Sequence, residues 1–481
     1  MKLRVWQQEC INAAVDKYLL GGKHFLALAT PGAGKTHMSS ALAERLMGQD
    51  MVDLVICFAP STIVASDFEE SLSVKLSARF DGLLGSLGLV STYQNLLYVE
   101  ESFWQLFKEL RIFVIFDEIH HCSGSSVKNA NAWGEKVIEN IKEQAAYTIS
   151  LTGTPWRSDK TPIALSNYCS KTNKVICDYS YGLKESIKDN VCRMPEIIAI
   201  ENDNISVTCD EEDFSFTSFL DLFSKAILPY QDIIENEDVI FQLVQRANNR
   251  LQSIRKVNHD AGGLIVAYSV AHAEKIQRIL YKKLNIEAVV VTYREDDPNQ
   301  IIRNFRDNSD EWIISVGMIS EGTNIPRLQV CCHLTNIKTE MHFRQILGRI
   351  LRFTSSTDQS ASIYIPAEPK LLEYAYRVGQ DVPSEADIVK FEKVSKHYKI
   401  KKKKLEALNT LEYEETNEVI DTTKATLATS VLEFDDQSFF DIEQHSKNPL
   451  TTAYETTVNI FGRFKQESLA IGLLNELEMH Q

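Results

Sequence analysis

The sequence predicts an α/β protein made of two parallel-sheet units in series. Three observations predict it. Short, nearly all-apolar runs alternate with helical patterns between residues 24 and 155. The same alternation restarts at Gly262-Gly263 and continues to about residue 366. The apolar runs show no polar face, as strands do when helices cover a parallel sheet on both sides. A length of 481 residues accommodates such a plan, at roughly 150 residues per domain.

In the first unit, HFLALAT (24–30) reads as a buried strand, followed by a Gly-rich loop and the helix pattern HMSSALAERLMG. LVICFAP (54–60), GLVSTY (88–93), RIFVIFDE (111–118) and AYTISLTGTP (146–155) supply four more strands. Residues 201–216 are polar and acidic, and 217–258 read as helices with a break at Pro229. We therefore expect a helical linker or insertion over about 201–260.

The second unit resumes with the strand LIVAYS and the helix AHAEKIQRILYKKL. Next come the strand AVVVTY and a helix that Asp297 and Pro298 open as cap and first residue. EWIISVGM, LQVCCHL and SASIYIP read as further strands. From about Pro383 the pattern is lost. A lysine run, Lys401 to Lys404, precedes a Thr- and Glu-rich stretch and the amphipathic pattern ESLAIGLLNELEMH. The expected division is 1–182, 183–385 and 386–481, the last a small helical extension available to a protein partner or to nucleic acid.

Composition narrows the function classes. Hydrophobic residues at 44% and charged residues at 24% lie in the globular range. A net charge of −15 excludes a chain that coats nucleic acid through bulk charge, while a local basic groove would still serve. Nine scattered cysteines form no C-x-x-C pair, which gives no zinc framework and suits reduced thiols in a cytoplasmic protein. MKLRVWQQEC lacks the apolar region of a signal peptide, and no apolar run reaches the roughly 18–20 residues of a membrane helix.

The loop Ala29-Thr30-Pro31-Gly32-Ala33-Gly34-Lys35-Thr36 lies between a strand and a helix. This is the context in which a Gly-rich loop cradles phosphates. Gly32 and Gly34 let the backbone curl so that N–H groups point inward, and the following helix N-terminus adds partial positive charge. Lys35 is placed to reach the β- and γ-phosphates, and the Thr36 hydroxyl to bind Mg²⁺. Ala29 stands where the general pattern has its first glycine. Farther on, IFVIFDEIHH ends a buried strand on Asp117 and Glu118. Asp117 can hold Mg²⁺, and Glu118 can polarise an attacking water. His120 is assigned to coupling rather than to a metal, since adjacent residues seldom converge on one ion.

At DEIH the chain resembles superfamily 2 helicases of the DEAD/DEAH group, and the other motifs follow in family order. LRVWQQE (3–9) resembles the adenine-recognising Q-type motif, with Gln7 as base reader. FAPST (58–62) resembles motif Ia, and STYQNL (91–96) the DNA-contact motif after it. SLTGTPWR (150–157) is similar to motif III of the branch holding type III restriction motor subunits and XPB-like repair helicases. GGLIVAYSVAHAEKI, VGMISEGTNIPRL and FRQILGRILR resemble motifs IV, V and VI. The resemblance covers roughly residues 1–380.

It implies two RecA-like domains with ATP between them and nucleic acid, DNA in the first instance, across both. Gln345, Arg349 and Arg352 would then complete the site from the second domain, the two arginines acting as fingers on one helix face. Glu321 and Gly322 would contact the ribose, with Asn324 where the family usually has Asp. Thr152, Gly153 and Thr154 would link hydrolysis to nucleic acid. Ser61, Thr62, Thr92 and Arg157 are candidate backbone contacts, whereas Tyr93 and Trp133 read as core aromatics.

Three functions compete: a DNA helicase or translocase, a duplex-DNA motor subunit of a restriction or phage-defence complex, and an ATP-gated sensor of nucleic acid. An RNA helicase is the variant of the first. Lys35, Glu118, Arg349 and Arg352 are all present, which disfavours the sensor.

Overall fold

A computed structural model describes residues 2–155, 157, 161–202, 205–209, 212–225, 229–319, 323–353, 360–379, 457–460 and 464–468. Two α/β lobes lie within one compact unit that runs from Met1 to Pro383 and resumes at Thr456.

The first lobe opens with helix α1 (Val5–Leu19). Its strands are β1 (His24–Ala29), β2 (Leu54–Ala59), β3 (Gly88–Thr92), β4 (Ile112–Asp117), β5 (Tyr147–Thr152) and β6 (Tyr179–Tyr181). They form a sheet in the order β3-β2-β4-β5-β1-β6 with every pairing parallel. Every residue of β4 is buried, which explains its unbroken apolar run. Register pairs Asp117 with Leu151 and Leu28 with Thr152, so β1, β4 and β5 end side by side. Open parallel sheets place their ligands beyond these carboxyl ends. Helix α2 (Lys35–Gly48) leaves the β1 loop there, and α3 (Thr62–Leu76) leaves β2.

The second lobe contains β7 (Met194–Asn202), β8 (Gly262–Ala267), β9 (Ala288–Val291), β10 (Trp312–Ser315), β11 (Leu328–Leu334), β12 (Ser360–Pro366) and β13 (Phe464–Ser468). Their order is β9-β10-β8-β11-β12-β7-β13, and β13 alone runs antiparallel, along β7. The sequence restarts on Gly263 because the Trp312 ring covers it: a Cβ there would lie 2.4 Å from the indole. Asp297 caps the helix Pro298–Asp307 by accepting from Gln300 N–H, as the sequence predicts.

The expected helical insertion needs correction. Residues 205–209 and 212–216 form an antiparallel hairpin, and Thr457–Ile460 adds a third strand. Burial of Ile205 and Val207 shows a period of two that the acidic composition obscures. Helices do begin after it, and Pro229 caps the one at Tyr230–Glu235. The long helix Glu237–Arg255 packs on β11 and β12, so it belongs to the second lobe rather than to an insertion. Of the expected C-terminal amphipathic helix, Glu467 and Ser468 lie in β13, and 469–481 fall outside the described residues, as do 380–456. Among the described residues no helix is long and apolar enough to cross a membrane.

Candidate active site

The phosphate loop closes on itself at the end of β1. Thr30 N–H donates to Tyr181 O at 3.1 Å and Ala33 N–H to Thr30 O at 3.1 Å. Gly32 and Gly34 have φ of +83° and +96°, left-handed values that glycine adopts without a Cβ penalty. A Cβ on Gly34 would lie 2.8 Å from Gln7 Nε2. The first turn of α2 then presents Lys35 and Thr36.

The start of α1 clamps the loop from outside. Gln7 is buried, donates from Nε2 to Gly34 O at 2.9 Å and accepts Arg4 N–H at 2.8 Å. Arg4 Nη1 donates to Ala33 O at 2.6 Å. Arg4 is not among the residues that the Q-type resemblance singles out. Its position in LRVWQQE, three before Gln7, was the available signal.

Lys35 and Glu118 meet directly. Lys35 Nζ lies 2.7 Å from Glu118 Oε1, and both side chains are largely shielded from solvent. Glu118 Oε2 accepts Gly153 N–H at 3.2 Å and lies 3.4 Å from His120 Nδ1. The Glu118 backbone is left-handed, with φ of +49°, which costs a non-glycine residue about 1–2 kcal/mol. Three further bonds hold this turn. Tyr93 Oη donates to Asp117 O at 2.8 Å, His121 N–H to Glu118 O at 3.1 Å, and His120 Nδ1 lies 3.0 Å from Thr152 Oγ1. Thr152 Oγ1 also accepts Thr154 N–H at 3.0 Å. The expected coupling residues His120, Thr152, Gly153 and Thr154 thus surround the Glu118 carboxylate or its partners.

Asp117 is buried at the end of β4. Among the described residues no three His, Cys, Asp or Glu side chains cluster as a metal site. A carboxylate at Asp117 and a hydroxyl at Thr36 are oxygen donors of the kind Mg²⁺ uses when phosphate oxygens and water complete its octahedron. The donor set therefore fits that ion.

The second lobe reaches the same loop. Gly348, in the helix Glu340–Ile350, sits so near Pro31 that a Cβ would be 2.8 Å from its ring. Gly153 approaches the other part of that ring, at 3.0 Å by the same measure. Arg352 crosses Gly32, its Cγ 3.0 Å from where a Cβ would stand. Arg349 is buried and donates from Nη1 to Thr323 O at 2.9 Å. Arg352 Nη1 donates to Asn324 Oδ1. Burial, then the neighbouring Arg349, pulls the Arg352 guanidinium down to about 9, so it stays charged at neutral pH.

One geometric expectation is corrected. The helix ends at Ile350, so Arg352 does not share a helical face with Arg349; it lies in a bridge to Cys192. The chain leaves the helix because Leu351 O takes Arg193 N–H, at 2.8 Å, from another segment. Gln345 is half-buried on that helix. Glu321 and Gly322 lie outside the described residues.

The candidate nucleic-acid residues differ in exposure. Thr62 is exposed in the first turn of α3, which Ser61 caps by accepting Val64 N–H. Thr92 is buried and accepts Asn95 N–H at 3.4 Å. Arg157 donates to His120 O and, at 3.0 Å, to Thr161 Oγ1. Tyr93 is buried under a stacked Trp133, at 5.9 Å between ring centroids, so both aromatics serve packing.

Residues 1–157 match the family described as Type III restriction enzyme, res subunit, and 246–354 match the Helicase conserved C-terminal domain. An uncharacterised protein of Mycobacterium tuberculosis is 28% identical over 395 residues, 78% of this chain and 62% of its own length. The mitochondrial ATP-dependent helicase candidate irc3 of Schizosaccharomyces pombe is 24% identical over 73% of this chain and 55% of itself. The chain thus spans under two thirds of the length of these relatives. Among solved structures, the ATP-dependent Type ISP restriction-modification enzyme LlaBIII bound to DNA aligns with a TM-score of 0.51, at 13% identity over 80% of this chain and 30% of its own. A fragment of a candidate HsdR subunit of a type I restriction enzyme from Vibrio vulnificus gives 0.52, at 17% identity over 77% and 65%. These structures share the fold of two tandem RecA-like domains.

Proposed function

We propose that the chain, whose residues 1–157 and 246–354 match the type III res subunit and the helicase C-terminal domain, is a superfamily 2 helicase of the restriction-motor type that couples ATP hydrolysis to movement along, or remodelling of, DNA in the cytoplasm. The observation that carries this reading is the convergence on Pro31 and Gly32: the phosphate loop of the first lobe is overlain by Gly348 and Arg352 of the second. A site shared in this way makes hydrolysis depend on how the lobes sit, which is what a motor requires. The working division is an ATP-binding domain over 1–182, a second motor domain over 183–385, and an extension over 386–481 for a protein partner or nucleic acid.

In this reading the phosphates of ATP take Lys35 from Glu118. That exchange frees Oε1 to accept a proton from the attacking water, while Gly153 N–H keeps Oε2 oriented. Arg349 and Arg352 supply positive charge from the second lobe, with Gln345 beside them. Gln7, with Arg4, fixes the loop and meets the adenine; Glu321 and Gly322 meet the ribose. Mg²⁺, held through Thr36 and Asp117, would supply charge neutralisation on the phosphate oxygens. Ser61, Thr62, Thr92 and Arg157 are assigned to the path of the strand.

A second reading is favoured by the match to the res subunit of type III restriction enzymes: a duplex-DNA motor that does not separate strands. ATP turnover of the full chain with single-stranded DNA, duplex DNA and RNA, measured beside strand displacement, decides between them. Displacement supports a helicase, and duplex-stimulated turnover without displacement supports the translocase. Stimulation by RNA alone would assign an RNA helicase. Nucleic-acid binding without stimulated turnover would leave a sensor and overturn the proposal.

A further inference from the structure

The geometry points to Arg193, which lies outside every motif, as the positioning residue that sets where the two second-lobe arginines stand. Arg193 follows the connection between the lobes and is wholly buried. Its Nη1 donates to three main-chain carbonyls: Leu328 O at 2.8 Å, Ile350 O at 3.1 Å and Pro326 O at 3.3 Å. Its own N–H donates to Leu351 O at 2.8 Å.

These acceptors belong to two segments that matter together. Ile350 is the last residue of the helix that carries Arg349, and its carbonyl is one of those a helix end leaves without an internal partner. A guanidinium there satisfies the carbonyl and suits the negative end of the helix dipole. Pro326 and Leu328 follow closely on Thr323 and Asn324, the residues that hold Arg349 and Arg352. The contacts therefore form a ring. Arg193 ties the helix end to the start of β11, and the segment before β11 returns to grip both arginines.

The same connection touches the phosphate loop. Cys192 Sγ–H donates to Pro31 O at 3.6 Å, and Cys192 bridges to Arg352. Arg193 is thus where the segment leaving the first lobe fixes the arginine-bearing end of the second. Its three acceptors are backbone atoms, so the joint is set by geometry and is indifferent to their side chains. Lysine is shorter, so its ammonium would stop short of the point from which Nη1 reaches all three carbonyls.

This inference rests on reading Arg349 and Arg352 as phosphate-directed groups, and the experiment separates the two claims. R193K, R349A and the double variant are made in the full chain. Nucleic-acid-stimulated ATP turnover is measured, with thermal unfolding as the check on folding. R193Q is carried in parallel, and the same cycle in either variant decides the matter. We expect R193K to lower kcat at least tenfold with KM for ATP within about threefold. In the R349A background the further loss should be well below the loss R193K causes alone, because one of the two arginines that Arg193 positions is already gone. Losses that multiply, or a raised KM at unchanged kcat, would overturn the role of Arg193 while leaving the arginines in place. Unchanged turnover in R349A alone would overturn the arginine reading, and this inference with it.

Discussion

Gly348→Ala probes the shared site with a single methyl group. A Cβ at position 348 would lie 2.8 Å from both Cβ and Cγ of Pro31, where ordinary contact begins at 3.4 Å. The two groups must therefore separate by about 0.6 Å to reach ordinary contact. Pro31 has little room to retreat, because its Cδ already faces Gly153. The helix must give way instead, and Arg349 is the next residue on it. A misplacement of about 1 Å can cost as much as 10²-fold in rate. We expect kcat to fall about 10- to 100-fold, with KM for ATP changed less than about threefold.

Stability should change less than activity. Overpacking costs about 1–3 kcal/mol, and alanine's advantage over glycine in a helix interior offsets about 0.8–1 kcal/mol of it. Steady-state ATP turnover at saturating DNA reads the first effect and a thermal melt the second. Gly48→Ala, where a Cβ would meet nothing within 4 Å, is the control and should leave turnover unchanged. A Gly348→Ala protein with kcat within twofold of wild type would refute the reasoning, since the second lobe would then not need its place on Pro31.

Other perturbations have equally definite outcomes. Lys35→Ala and Glu118→Gln should each reduce ATP turnover below about a tenth of wild type, and activity above that level in either would sink the site assignment. Tyr93→Phe removes the Oη–H bond to Asp117 O and should cost about 0.5–1.5 kcal/mol in urea unfolding; an unchanged midpoint would contradict the contact. Burial pulls the His272 imidazole from 6.5 down to about 4. As pH falls from 6.5 toward 4, the unfolded chain takes up this proton first, so stability present above that window is lost within it. His272 alone should make the protein about 2 kcal/mol less stable at pH 5 than at pH 7.5. The difference should shrink by that amount in His272→Asn, and an equal slope in both proteins would count against it.

What the sequence made legible was local. The loop from Ala29 to Thr36 and the Asp117-Glu118 pair each sit at the end of one strand, so a short window contains both chemistry and context. The family resemblance groups His120 with Thr152 as coupling residues, and their side chains lie 3.0 Å apart. Residues whose roles depend on distant backbone were not legible. Arg193 donates to carbonyls 133–157 positions away, and Arg4 to one 29 positions away. Neither side chain belongs to a pattern that spacing can reveal. The hairpin at 205–216 was hidden by its acidic composition, because among its residues of described burial only Ile205, Val207 and Phe216 are buried. The apolar spacing of Glu237–Arg255 gave its helix, but the sheet it covers is set by long-range packing.

Single-turnover hydrolysis of ATP by Arg349→Ala, with ATP binding measured on the same protein, tests the shared site most directly. Arg349 lies in the second lobe, whereas Lys35 and Glu118 lie in the first. Binding should stay within a few fold of wild type, with a hydrolysis rate lower by about 10³-fold or more. Hydrolysis retained within tenfold of wild type would show that the first lobe suffices, and would contradict a site completed by the second.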